Sequence, residues 1–210
     1  MEVAGNINNS GSISQSNINI TSGRLTTAAD SIEADIFNAG TLELTGGVNS
    51  NDINGYTTSS GIAYGTVKIS GNIENQGTIN NDIELASGTL SISTGTLDTA
   101  DRSLTATGGA LNTQNNTIDN ISFDTIILNA DMVWSMDTSL ANTGSADRLL
   151  ADNATVNGKK ITIADIAFSG YDARTIAMNL MRISVTDNSD LFGAIELAVN
   201  EYVAGDSNYT

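Results

Sequence analysis

The side chains in this sequence that could carry out chemistry are almost entirely carboxylates. Histidine and cysteine are absent, which removes the usual general base, the serine and cysteine triads and most zinc sites. Three pairs of aspartates lie close together in the chain, namely Asp98/Asp101, Asp119/Asp124 and Asp187/Asp190. Two carboxylates suffice for a glycosidase, but each pair is interpreted as turn-forming or solvated aspartate. We therefore expect no catalytic residues.

Motifs that bind metals, phosphates or cofactors are also missing. No Gly-Gly-x-Gly-x-Asp nonapeptide and no EF-hand loop occurs, so dedicated Ca²⁺ sites are not expected. Gly46-Gly47 and Gly108-Gly109 are interpreted as turns, because no helix follows them to offer its N-terminus to a phosphate. The eight basic residues do not cluster beside acidic groups, as a polysaccharide lyase would require. The sequence predicts a protein that is not an enzyme and has no metal or cofactor.

Charge and hydropathy exclude two classes of partner. The chain has 24 acidic and 8 basic residues and a net charge of −16, which is the wrong sign for binding nucleic acid or anionic lipid headgroups. No run approaches the 18 apolar residues of a membrane helix, so this segment is not expected to insert into a membrane. We interpret the charge as keeping a long, strand-rich monomer soluble.

An imperfect repeat is the most informative feature of the sequence. Gly-Thr followed by alternating apolar residues recurs at 40–44, 65–69 and 88–92, which are 25 and 23 residues apart. Shorter copies are Gly77-Thr78-Ile79 and Gly95-Thr96-Leu97. Repeats of this length are typical of solenoids, propellers and arrays. The low aromatic content of 5% also favours a thin core that is stacked in layers.

Within each copy the apolar residues alternate with polar ones, which predicts half-buried β-strands. This alternation predicts that Ile69 and Ile92 point into the core while Lys68 and Ser91 point outwards. Trp134 is expected in the core, because it lies in a dense apolar strand. Loop tyrosines at 56, 64 and 171 are available for outside contacts.

Two arrangements of such strands were weighed. Antiparallel hairpins would use Asn54-Gly55 and Gly46-Gly47 as tight turns. A parallel solenoid would place the same residue types above one another, with asparagine ladders between layers. The repeat length, the matching copies and the high asparagine content favour the solenoid, an all-β, single-stranded parallel fold. About eight or nine layers would then form a rod about 40 Å long.

The composition changes near residue 120 without a linker. Residues 1–120 are rich in Asn, Gly, Ser and Thr, whereas 121–210 contain longer apolar runs and most of the large side chains. We interpret 1–210 as one solenoid domain whose C-terminal layers are more completely covered. These layers are expected to hold the larger share of the folding free energy and to be a folding and capping region.

Several segments resemble autotransporter passenger domains of the pertactin-like β-helix type. The resemblance is closest over residues 128–210, and the segments are Leu128–Trp134, Ser145–Leu149, Val156–Ile163 and Asn179–Ile183, followed by Phe192, Tyr202 and Asn208–Thr210. In that family a Ser-Asp-x-Leu segment leads through a Gly turn into a short apolar strand near the membrane. The Gly-Thr repeats are similar to ordinary passenger layers.

The resemblance implies a right-handed parallel β-helix that is exported by type V secretion and held at the bacterial cell surface. It implies a translocator β-barrel beyond Thr210 as the chain's own partner. A protease-like module, an Arg-Gly-Asp sequence and a Pro-rich loop are lacking. We therefore expect a non-catalytic stalk or adhesin-like segment that contacts a host-cell surface or glycan. The alternative is a polysaccharide-binding or polysaccharide-cleaving β-helix of the lyase or tailspike type.

Overall fold

The computed structural model of the protein describes residues 1–139, 145–169, 184–185 and 195–197. Regular structure in these ranges is β-strand, apart from one 3-10 turn at Ala29–Ser31. The expectation of an all-β fold is confirmed. Within the same ranges, no helix is long and apolar enough to cross a membrane.

The strands form three sheets, named A, B and C, in which neighbouring layers pair in parallel. Sheet A contains β1 (Glu2–Val3), β3 (Ile13–Ile20), β5 (Ile32–Asn38), β8 (Ile53–Thr58), β12 (Thr78–Ile79) and β15 (Thr96–Leu97). Sheet B contains β2 (Asn6–Asn8), β4 (Arg24–Thr27), β6 (Thr41–Leu44), β10 (Thr66–Ile69), β13 (Asp82–Leu85), β16 (Ser103–Ala106), β18 (Asn120–Leu128), β21 (Arg148–Thr155) and β23 (Ser184–Val185). Sheet C contains β7 (Gly47–Asn49), β11 (Ile73–Asn75), β14 (Thr89–Ile92), β17 (Ala110–Asn112), β19 (Met132–Ser139), β22 (Ile161–Ser169) and β24 (Ile195–Leu197). The short β20 (Ser145–Ala146) pairs antiparallel with the end of β19.

The chain visits the sheets in a fixed order. From β5 to β17 it passes through A, B and C four times, and each strand stacks on its equivalent in the previous turn. The next turns, as far as they are described, contribute strands to B and C alone. This parallel, layered path is compatible with a β-solenoid. The described residues contribute nine strands to sheet B, and the sequence predicts about eight or nine layers.

Stacking in register builds the core from rows of similar side chains. One row in sheet B pairs Leu42 with Val67, Ile83, Leu104 and Ile126, and all of them are buried. In sheet C a second row runs from Ile73 through Leu90 and Leu111 to Trp134 and Ile163. Trp134 is fully buried, which confirms its predicted place in the core.

The outward rows carry the charges. Ile69 and Ile92 are buried while Lys68 and Ser91 lie on the outer faces, as the alternation predicts. Lys68 lies between Glu43 and Glu84 of the adjacent layers, and its Nζ is 3.2 Å from a carboxylate oxygen of Glu84.

The same outward row fixes the ionisation of Glu43. Its carboxylate accepts a 2.6 Å hydrogen bond from the Ser70 hydroxyl, which is the main cause that lowers the pKa of Glu43. Burial acts in the opposite direction, while Thr26, Arg24 and Lys68 lower the pKa further. Glu43, Lys68 and Glu84 thus form a row of alternating charges across three layers of sheet B.

The three full copies of the Gly-Thr repeat do not all stack on one another. Thr41 and Thr66 are paired neighbours in sheet B, which confirms that these two copies stack. The Gly88 copy is not above them, because it enters β14 of sheet C. The expectation that all three full copies share one position is wrong for that copy. Gly-Thr marks the entry to a strand in any of the three sheets.

The two candidate hairpin turns are not hairpin turns. Asn54-Gly55 lies inside β8, where both residues pair with β5. Gly46-Gly47 forms the corner between β6 and β7, with φ values of +152° and +96°. Of the predicted asparagine ladders, sheet C contains one buried pair, in which the Asn49 amide donates a 2.7 Å hydrogen bond to the side-chain oxygen of Asn75, and the row then continues with Ile92.

Several expectations concern residues outside the described ranges. They are Tyr171, the pair Asp187/Asp190, and the segment from Asn179 to Ile183 with Phe192, Tyr202 and Asn208–Thr210. Within the described part, buried apolar residues run continuously from Val3 to Ile163.

The register can be tested with two neighbouring positions. Ile69→Asp places an unpaired charge in the core and should lower the free energy of unfolding by several kcal/mol, roughly 3–5. Lys68→Gln replaces an outward charged side chain with a neutral one of similar length and should change the free energy of unfolding by about 0.5 kcal/mol. Urea unfolding followed by circular dichroism measures both, and equal effects would contradict the inward and outward assignment.

Candidate functional site

The aspartate pairs that the sequence singles out do not form an active site among the described residues. Asp98 and Asp101 are exposed, and the Asp98 carboxylate accepts a hydrogen bond from Asn80 at 3.2 Å. Asp124 lies on the outer face of β18 and accepts a hydrogen bond from the Thr125 hydroxyl, whereas Asp119 lies in a corner loop. Nor do three His, Cys, Asp or Glu side chains come together as a metal site in the ranges that the structure describes.

Asp147 is the most deeply buried carboxylate of the described chain and was not recognised from the sequence. It is 0% exposed. One carboxylate oxygen accepts the backbone N–H of Asp137 at 2.8 Å and the hydroxyl of Thr113 at 2.5 Å. The other accepts the backbone N–H of Asp119 at 2.8 Å. Three separate segments of the chain thus meet at one side chain.

Asp137 binds the backbone of the same loop. Its carboxylate accepts the backbone N–H groups of Asn115 and Asn116 at 2.6 and 2.7 Å. Asn116 has a φ of 68°, a conformation that asparagine tolerates better than most residues. The Trp134 indole N–H donates to the Thr113 hydroxyl at 3.2 Å, which joins the apolar core to this network.

The hydrogen bonds of Asp137 and Asp147 lie where a further strand of sheet A would be expected. Among the described residues, β15 is the last strand of sheet A, and the loop of residues 113–119 occupies the corresponding part of the following turn. Backbone pairing between layers is therefore replaced by carboxylates that accept backbone N–H groups. Burial raises the pKa of Asp147, and the nearby Asp137 charge adds to the rise, while the hydrogen bonds from Thr113, Asp119 and Asp137 oppose it. We assign this network a structural role.

A second local departure from the layers is an excursion at the corner between sheets A and B. Residues 56–58 at the end of β8 turn back at Ser59-Ser60 and pair antiparallel with β9 (Gly61–Ala63). The Thr58 hydroxyl donates to the Gly61 carbonyl at 2.7 Å and closes the turn. We call residues 56–63 the corner hairpin.

The corner hairpin explains the long repeat. Seventeen residues separate the paired positions Arg24 and Thr41, and sixteen separate Thr66 and Asp82. Twenty-five separate Thr41 and Thr66, because the hairpin leaves the stack between them. The sequence shows the long spacing but does not reveal its cause.

Aromatic and apolar side chains gather around this hairpin. Ile62 is 56% exposed, and Phe37, Tyr56 and Tyr64 are half-buried. Phe37 is paired with Asn54 on the outer face of sheet A, and Tyr56 follows two residues later on that face. The prediction that Tyr56 lies in a loop is wrong, because Tyr56 belongs to β8, whereas Tyr64 lies between β9 and β10. The charged Arg102 lies 3.2 Å above the centre of the Tyr64 ring.

Arg102 joins the tyrosine to a polar chain that crosses three layers. Its Nε donates to the Asn80 side-chain oxygen at 3.2 Å, and one Nη donates to the Asp101 carbonyl at 2.9 Å. Asn80 in turn donates to Asp98.

A shallow groove lies on the outer face of sheet C and has a volume of about 420 Å³. One carboxylate lines it, that of Glu74. Hydrogen bonds from Gln76 and Ser93 lower the pKa of Glu74, so it is ionised at neutral pH. A glycosidase acid requires a raised pKa and a second carboxylate. The groove lacks both features.

Comparison with known proteins found no matching family model, no similar curated protein and no similar solved structure.

The buried network predicts an unusual pH dependence. The folded-state pKa of Asp147 lies above its ordinary value of 3.8, so the folded protein holds this proton more tightly than the unfolded chain does. The contribution of Asp147 to stability is therefore greatest at low pH and falls as the pH rises through the folded-state pKa. Asp147→Asn removes this proton and should flatten that part of the stability curve.

Urea unfolding at several pH values on both sides of 3.8 measures the effect for the wild type and the variant. Glu43 acts in the opposite direction because its pKa is lowered, so the difference between the two proteins is the quantity to compare. The exposed Asp124→Asn is the matched control. A difference curve that is the same for both variants would contradict the role assigned to Asp147.

Thr113→Val tests the same network without changing a charge. The variant leaves the Trp134 N–H without its acceptor and removes a donor from Asp147, so the free energy of unfolding should fall by about 2–3 kcal/mol. Thr105→Val, on the outer face of sheet B, should change it by about 0.5 kcal/mol or less. Thermal unfolding measures both, and an unchanged Thr113→Val protein would exclude the network as a stabilising element.

Proposed function

We propose that this chain is a non-catalytic stalk segment of an exported bacterial surface protein, a right-handed parallel β-helix of the autotransporter passenger type. The observation that carries the proposal is the in-register stack of three parallel sheets, which the corner hairpin leaves between β8 and β10. Such a stack is stiff and elongated, because each layer is fixed by hydrogen bonds to the layers on both sides. A stiff rod from which a hairpin extends is suited to presenting a contact surface.

Two features of composition support export. The absence of cysteine leaves the chain free of disulfides that would fix it before it crosses a second membrane. The net charge of −16 keeps a rod with much strand surface from associating with itself. On this proposal the segment is monomeric, lies outside the cell and is tethered through a translocator barrel that follows it in the parent protein.

The alternative of a polysaccharide-cleaving β-helix has less support. Asp98, Asp119 and Asp124 each have hydrogen bonds within the protein, and Glu74 is the one carboxylate of the sheet C groove. The buried carboxylates of Asp137 and Asp147 accept backbone N–H groups, which leaves them unsuited to touch a substrate. We therefore propose that this chain binds its partner without cleaving it.

The proposed role of the C-terminal layers is to nucleate folding. Trp134 and Phe123, two fully buried aromatic side chains, lie in β19 and β18, and the Asp147 network ties the same turns together. Such concentrated burial and hydrogen bonding should make this region the last to open. During export, a stable C-terminal region could template the layers that follow it.

Hydrogen exchange on the intact chain tests this gradient. Amides in β18, β19, β21 and β22 should exchange most slowly, and those in β1 to β4 most quickly. The expected difference in protection is at least about tenfold, which corresponds to about 1.4 kcal/mol in opening free energy. Greater protection in residues 2–27 than in 120–166 would contradict a C-terminal folding nucleus.

A binding and turnover assay separates the two functions. Purified chain is incubated with bacterial and plant polysaccharides and with cultured host cells, and both bound protein and released reducing or unsaturated ends are measured. We expect binding without any product above that of a heat-denatured sample. Release of oligosaccharides would identify a hydrolase or lyase and overturn the stalk proposal.

A further inference from the structure

Asparagine followed directly by glycine occurs twice in the chain, at Asn54-Gly55 and at Asn157-Gly158. Asparagine is chemically labile, and a following glycine exposes it further, because glycine has no side chain to shield its own backbone nitrogen. That nitrogen can attack the Cγ atom of the asparagine and close a five-membered ring. Since the two pairs have the same residue types, a difference in their reactivity must come from the structure around them.

Asn157-Gly158 is the tip of the connection between β21 and β22. Both residues are exposed, and their φ values of 50° and 68° are those of a two-residue turn with positive φ at both positions. The backbone N–H of Lys159 donates to the Val156 carbonyl at 2.7 Å and closes the turn. A Cβ atom at Gly158 would meet nothing within 4 Å, so the space beside this glycine is open.

Few bonds restrain the reacting groups of this turn. Among the described residues, the Gly158 N–H donates no hydrogen bond. The Asn157 side-chain amide donates to the Asn129 side-chain oxygen at 3.0 Å, on the exposed surface. Water can replace this hydrogen bond and the one that closes the turn, so breaking either costs little net free energy. Ring closure requires the turn to open, and this opening can be local, because it leaves the pairing of β21 and β22 intact.

Asn54-Gly55 is held in a different way. Both residues lie inside β8 and pair in register with β5 of the layer before. Gly55 is buried, and a Cβ atom there would lie 2.6 Å from side-chain atoms of both Ile62 and Tyr64. Rotation of the backbone at Asn54 would break the pairing of sheet A and disturb this packing. Ring closure at Asn54 therefore requires this part of the sheet to unfold.

We propose that Asn157 is a site of spontaneous deamidation, whereas the fold protects Asn54. The Gly158 nitrogen gives up its proton to the solvent and forms a bond to the Cγ atom of Asn157. The bond between Cγ and Nδ2 breaks, and the leaving nitrogen takes up a proton and departs as ammonia. One water molecule then opens the cyclic imide. Addition of water at Cγ gives aspartate, and addition at the main-chain carbonyl carbon gives isoaspartate, whose chain continues through Cγ.

Deamidation changes the corner between β21 and β22 in two ways. A carboxylate replaces the amide that donates to Asn129, which adds one negative charge to a chain with a net charge of −16. Isoaspartate also adds a carbon atom to the backbone of a turn that the hydrogen bond from Lys159 to Val156 closes. This corner belongs to the layers that are proposed to nucleate folding, but the inference does not rest on that role.

The test incubates the intact, folded chain at one neutral and one mildly alkaline pH. Peptide mapping by mass spectrometry then measures asparagine, aspartate and isoaspartate at residues 54 and 157. We expect both products at residue 157, formed faster at the higher pH, and conversion at least about tenfold faster than at Asn54, which reacts only when part of sheet A opens. The same chain kept in urea is the matched control. There the two pairs should convert at similar rates, because the fold no longer distinguishes them.

The variant Asn157→Gln extends the side chain by one carbon, so a five-membered ring cannot form. Residue 157 should then stay unconverted over the same time, and circular dichroism checks that the variant is folded. Labelling of the wild-type chain with an isoaspartyl methyltransferase gives a second measurement that does not depend on the variant. Equal conversion of Asn54 and Asn157 in the folded chain would overturn the inference. So would an unchanged Asn157 after the urea-treated chain has reacted, or aspartate formed without isoaspartate.

Discussion

Stacking of inward-facing side chains in register is the interaction on which the rest of the structure depends. The strands of the middle turns are short, and Thr66–Ile69 contributes two buried side chains, Val67 and Ile69. Such a strand cannot be stable alone, because it gains its hydrogen bonds and most of its burial from the layers on either side. Each inward position must therefore match its neighbours in size and polarity. The rows of Leu, Ile and Val, and the buried pair of Asn49 and Asn75, follow from this condition.

Close stacking also decides which residues can form the corners. At Gly71 a Cβ atom would lie 1.9 Å from the carbonyl oxygen of Thr45 in the layer before, and at Gly88 it would lie 1.9 Å from that of Gly71. No side chain fits at either place, so glycine is required by close approach of backbones. The threonine that follows Gly40 or Gly65 is the first outward residue of a strand. The Gly-Thr motif therefore marks the corners of the stack, where one strand ends and the next begins.

This explains which features could be predicted from the sequence and which could not. Alternation identified Ile69, Ile92 and Trp134 as core residues, because strand geometry converts a period of two directly into burial. The prediction that the Gly88 copy stacks on the other two was wrong. The Gly-Thr motif occurs at corners before strands of all three sheets, so it does not indicate which sheet the next strand joins. Asp147 could not be recognised as a buried anchor, because its partners Thr113, Asp119 and Asp137 come from distant segments that only the fold brings together. The corner hairpin was visible solely as a long spacing.

The same condition directs where this fold can place a contact surface. A residue added within a strand would shift its row and expose the buried side chains, so added length must leave the stack at a corner. The corner between β8 and β10 accommodates the added residues of the hairpin, while Thr41 and Thr66 remain paired on either side of it. Side chains in the hairpin do not have to match the size and polarity of residues in adjacent layers, so residues such as Tyr56 and Ile62 can occur there. In the described chain the corner hairpin is thus a region where the residue types can vary without disturbing the layers that hold the rod together.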